Sequence, residues 1–162
     1  MARMEITGFE AYETLLQRLG ESVNGIAEAG VYAGAKVIAD AVRAEIEGLP
    51  IDNKWGTPEH PVHGLKKAQK KGLLEGFGIS AMRDERGFIN VKIGFEGYND
   101  LRSRRWPKGQ SNAMIARAAE SGTSFSDKLM PMKKAIRKSK EQSVQAAQTA
   151  IDEKITMIRE RI

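Results

Sequence analysis

From residue 131 onward the apolar residues fall at the spacing of a helix seam. Val144, Ala147, Ile151, Ile155, Ile158 and Ile162 follow one another at steps of 3, 4, 4, 3 and 4. Heptad-like stepping of this kind draws one stripe along one long helix. Pro131 stands near its start, where a missing N–H costs nothing, so the pattern predicts a helix from 131 to about 161. That is too long for one small domain to cover in full. Its packing seam, Val144, Ala147, Ile151, Ile155 and Ile158, therefore needs the other long helix of the chain or a second subunit beside it.

The other long helix is expected over 23–47, with Gly48 and Pro50 ending it. Its alanines favour helix and allow close packing. Gly25, Gly30 and Gly34 have two readings. Each weakens a helix by about 1 kcal/mol against alanine, and their spacing also lets another backbone come near. A shorter helix precedes it over 9–19, where Phe9, Tyr12, Leu15, Leu16 and Leu19 recur at steps of three and four. Residues 4–7 read as an edge strand.

Two further short helices are expected at 65–74 and 112–121, the second closed by Gly122. Between them lie strands at 78–83 and 88–95, joined by Asp84-Glu85-Arg86-Gly87, a good hairpin turn. Together these elements read as one α+β domain over 1–162: N-terminal helices, a small antiparallel β-sheet with a central hairpin, and a long C-terminal helix. Two extended loops interrupt it, at 48–64 and 96–111. The first, GLPIDNKWGTPEHPVHG, is longer than a compact connection usually is, which marks it as functional or mobile.

Composition narrows the chemistry. The 162 residues contain no cysteine, which removes disulfide frameworks, thiolate metal sites and cysteine nucleophiles. No apolar run approaches the roughly 20 residues a bilayer requires, and the first ten residues lack the apolar core of a signal peptide. A cytoplasmic site of synthesis is expected. Net charge is +5, unevenly placed: residues 1–63 hold 5 Lys/Arg against 10 Asp/Glu, and residues 64–162 hold 21 against 11. Such asymmetry fits an acidic partner, a head-to-tail contact between unlike faces, or simply a solvated surface.

Catalytic patterns are weak. His60 and His63, the only histidines, sit in EHPVH, with Glu59 adjacent. The H-E-x-x-H pattern that puts both rings on one helix face is missing, so the segment reads as a surface loop and no metal site is assigned. Gly76-Phe77-Gly78-Ile79-Ser80 lacks the Lys-Ser/Thr of a phosphate loop and reads as a helix-to-strand turn. Ser121 and Ser124 have no nucleophile-elbow setting. The expectation is a protein without catalytic residues, cofactor or small-molecule substrate.

The stronger lead is the loop at 96–111. Arg102, Arg104, Arg105 and Lys108 surround Trp106 within seven residues. Cations there suit phosphates, and the indole suits a base. The same groups suit an acidic protein surface, and a solvated loop remains the plainest reading. With the lysines at 66, 67, 70 and 71, the loop supports an alternative role as a DNA-binding accessory protein.

Three stretches carry a likeness to known proteins: LLEGFGISAMRDERGFINVKIGFEGYN at 73–99, PKGQSNAMIARAAESGTSF at 107–125, and MPMKKAIRKSKEQSVQAA from 130. The opening MEITGFEAYETLLQRLG with its alanine-rich continuation joins them in consistent order. The chain thus resembles the tailed-phage and prophage neck proteins, of the head–tail joining or tail-completion type. At Met130-Pro131-Met132 that family leads one to expect an aromatic or aliphatic neighbour, whose volume methionine fills.

The resemblance implies a virion structural protein, assembled in the host cytoplasm. It would form a homo-oligomeric ring in the neck beside other connector or tail proteins, with DNA passing near and no membrane. Trp55, Trp106, Arg102, Arg104, Arg105 and Lys108 are then the expected subunit or neck-partner contacts, because interface energy concentrates in Trp and Arg.

Overall fold

The computed structural model describes residues 10–161. The expected strand at 4–7 and the first residue of the expected opening helix lie outside them. In order, the elements are α1 (Glu10–Glu21), α2 (Val23–Glu47), α3 (Lys67–Gly76), β1 (Phe77–Ile79), β2 (Arg83–Glu85), β3 (Phe88–Asn90), β4 (Ile93–Phe95), α4 (Asn112–Ser121) and α5 (Pro131–Glu160). The class is α+β, with a small antiparallel hairpin between the N-terminal helices and the long last one.

The frame is an antiparallel pair of α2 and α5. Ser143 Oγ donates to the Gly34 carbonyl at 2.9 Å, a contact between helices rather than within one. A Cβ on Gly34 would sit 3.2 Å from the Ser143 backbone oxygen, and one on Gly30 would sit 2.7 Å from the Ile151 side chain. These two glycines let the backbones close up. Gly25 has nothing within 4 Å and is the glycine that only weakens its helix. At the other end of the pair Lys138 makes an ion pair with Glu45.

This seam shares Ala147 and Ile151 with the expected one and departs from it at Val144. Buried Ala135, Ser139 and Ser143 lead, at steps of four, to half-buried Ala147 and Ile151. Val144 lies off that line and is 61% exposed. The small residues that permit close approach carry too little hydrophobicity to register in an apolar count. Ile155 and Ile158 are half-buried farther along, where Arg18 of α1 donates to the Arg161 carbonyl at 2.9 Å.

The core gathers where the C-terminal half of α2 meets α3, α4, β1 and the start of α5. Ile46 and Ala135 are fully buried there, with Leu73, Ala119 and Val42 almost so. Glu120 of α4 caps α5 from outside: its carboxylate accepts the Met132 and Lys133 N–H groups at 2.9 and 3.1 Å. That satisfies two orphan donors and places negative charge at a helix N-terminus. Met130, just before, takes a left-handed φ of 55° to aim the helix.

The hairpin is tighter and more broken than the sequence suggests. Glu85 pairs with Phe88, so only Arg86 and Gly87 turn the chain, both at positive φ (59° and 85°). Two short ladders, β1–β4 and β2–β3, replace one continuous pair. Between them Ser80 takes over the pairing: its N–H donates to the Lys92 carbonyl and its Oγ accepts the Lys92 N–H. The Phe77 and Phe95 rings meet across the inner ladder with centroids 5.1 Å apart and planes tilted by 47°. Among the described residues no helix is long and apolar enough to cross a membrane.

Candidate partner-docking site

The loop at 48–64 is held along its length. Leu49 and Leu65 anchor it in the core. Asp52 N–H donates to the Leu65 carbonyl at 2.9 Å, and Leu65 N–H to the Pro50 carbonyl at 3.0 Å. Farther out, Val62 pairs with the turn after α4: Val62 N–H donates to the Phe125 carbonyl, and Asp127 N–H to the Val62 carbonyl. His63 Nδ1 and Asp127 Oδ2 lie 2.9 Å apart in the same seam. A loop so long keeps its place because its backbone groups find partners.

The loop at 96–111 is pinned at its base by buried polar side chains. Asn99 Oδ1 accepts N–H groups from Leu101 and Gln110, each at 3.0 Å. Gln110 Oε1 accepts from Gln69 of α3 at 2.8 Å. Asn112 Nδ2 donates to the Glu96 carbonyl at 2.8 Å. Asn99, Gln110 and Asn112 are each less than a tenth exposed. Above this base Ser103 and Trp106 exchange backbone hydrogen bonds at 3.0 Å in a small turn that carries the cations outward.

These two loops and the 123–127 turn converge on one open cleft of about 500 Å³. Its floor is α4, through Met114, Ile115, Ala118 and Ala119. Trp55 and Phe125 stand on the rim, 75% and 55% exposed. Lys54, Lys66 and Arg105 supply positive charge beside them. Lys66 Nζ lies 3.9 Å from the Trp55 ring centre and donates to the carbonyls of Asn53 and Lys54. Burial pushes the Lys66 ammonium below the ordinary lysine value, against the smaller opposing pull of Asp52. The cation–π contact ties the indole to α3, and Trp55 and Lys66 also line a second depression with Lys67, Ala68, Lys71 and Leu101.

The residues singled out from the sequence divide. Trp55 and Arg105 reach the cleft. Arg102, Arg104 and Lys108 are exposed on the adjoining loop, with no ion pair among the described residues. Trp106 is half-buried under Arg105, whose guanidinium lies 5.6 Å from its ring centre. It does not line the cleft.

The lysines of 66–71 are largely engaged inside the molecule. Lys70 Nζ donates to the Glu47 and Leu49 carbonyls, completing the C-terminus of α2. Lys71 bridges Asp100 and Glu75, and Asp100 above all holds its ammonium above the ordinary lysine value.

Sequence reasoning missed Phe125, Met114 and the whole 123–127 wall. Its one signal was indirect: a Cβ on Gly56 would strike the Phe125 backbone, so that glycine marks a close crossing of two segments of the chain. His60 takes part in a backbone turn with Thr57 rather than meeting His63. Among the described residues, no three His, Asp or Glu side chains gather to hold a metal. No family model, curated protein or solved structure matches the chain.

Proposed function

We propose that the chain is a structural subunit of the tailed-phage neck, joining head to tail or completing the tail end as one copy in an oligomeric ring. The observation that supports it best is the convergence of both long loops on one open, aromatic and cationic cleft at the end of a stiff helix pair. What the cleft offers is contact: exposed rings, an apolar floor and cations on its edge. The resemblance over 73–99, 107–125 and the stretch from 130 covers the hairpin, the cleft floor and the start of α5. The test is electron microscopy of lysates from a phage or prophage with an early stop codon in this gene. Filled heads and free tails left unjoined are expected. Tails of abnormal length narrow the role to tail completion, and normal infectious particles overturn it.

A DNA-binding accessory role is the second reading. It draws on the outward side of α5, where Lys133, Lys134, Arg137 and Lys140 are exposed without ion pairs among the described residues, together with the loop cations. It predicts duplex binding that weakens steeply with salt. A gel shift at low and moderate salt decides it, and no shift at low salt ends it.

A further inference from the structure

We infer that the cleft receives α1 of the next copy of this chain. The inference deepens the ring reading above and rests on it.

α1 presents the complementary chemistry. Tyr12 and Leu16, one helical step apart on α1, are 66% and 68% exposed, and Val23, the first residue of α2, is 56% exposed just beyond the turn at Ser22. Glu13 lies beside them and Glu21 at the helix end, both exposed. The single cation of α1, Arg18, reaches back to the Arg161 carbonyl. An apolar stripe with acidic neighbours matches a cleft with an apolar floor and Lys54, Lys66 and Arg105 at its edge. The two carboxylates in that cleft are already engaged: Asp52 Oδ1 accepts the Lys54 N–H, and Asp127 lies against His63.

Placement excludes a contact within one chain. α1 joins the N-terminal end of α2, while the cleft is built beyond its C-terminal end at Leu65 and Leu129. The 25 residues of α2 separate them by about 37 Å at 1.5 Å per residue. A donor surface at one end and an acceptor at the other make a heterologous contact, which repeats from copy to copy and closes when the rotation allows.

Sedimentation of the full chain tests it. Leu16→Asp spoils only the donor and Phe125→Asp only the acceptor, both at exposed positions that leave the fold intact. Wild-type chain is expected to associate increasingly with concentration, and each variant alone to stay monomeric. Mixed together, the two variants still hold one good donor and one good acceptor, so they should form a dimer and stop there. Wild-type association that ignores both substitutions overturns the inference and leaves the ring reading standing. A mixture that stays monomeric overturns it as well. So does a wild-type chain monomeric at every concentration; the particle phenotype still decides the neck reading in that case.

Discussion

Along α2 and α5 the backbones approach until Ser143 hydrogen-bonds the Gly34 carbonyl, and little of that seam reaches solvent. At the cleft the opposite holds: Trp55, Phe125 and Met114 stay exposed, while the Phe125 carbonyl is held by Val62, the 48–64 loop by Leu65, and the neighbouring 96–111 loop by Asn99. One region hides its side chains to hold the molecule together. The other fixes its backbone to present side chains outward. Large apolar groups left uncovered on a well-held frame are characteristic of a contact surface. Substitutions at the two regions should therefore separate stability from function.

The largest loss of stability belongs to the frame. Ile46→Ala, at a fully buried position, should lower unfolding free energy by about 2–5 kcal/mol, read by urea denaturation. At the cleft the sensitive positions are the buried supports rather than the rim. Asn99→Ala strands two backbone donors and should lower stability by about 1–3 kcal/mol. A loss much below that shows water replacing the carboxamide and the loop base to be less buried than described.

Gly25 and Gly34 sharpen the comparison inside one helix. Gly25→Ala meets no atom within 4 Å and should raise stability by about 0.4–1 kcal/mol, whereas Gly34→Ala presses on the Ser143 backbone and should not. Equal effects at both would mean the helices do not pack as described. The smallest effect on stability is expected at the loop cations and their indole. Trp106→Ala should leave a folded monomer by circular dichroism and lower infectious titre. Unchanged titre counts against the loop's role.

The sequence declared those parts of the fold that single residues punctuate. Gly48 and Pro50, Gly122 and Pro131 mark ends of α2, α4 and α5, and the bounds follow. Asp84-Glu85-Arg86-Gly87 announced the hairpin, though not that Asp84 and Glu85 belong to its strands, nor its division at Ser80 and Lys92. The α5 seam was misdrawn at Val144 because close helix packing selects Ala, Ser and Gly, which hydrophobic periodicity passes over. Trp55 and the basic loop stood out by composition. Their meeting in one cleft with Phe125 did not, since it depends on pairing between residues more than sixty apart in the chain, as at Val62 and Phe125.

The proposed neck role makes this chain a structural part with a fixed place in the particle. The most direct measurement is cryo-electron microscopy of virions purified from a phage or prophage that encodes it, with the chain tagged at one terminus. A neck subunit should appear there as a ring of tagged density at the joint between head and tail, with neighbouring copies meeting through the cleft. Virions that are complete and infectious yet lack the chain would contradict it.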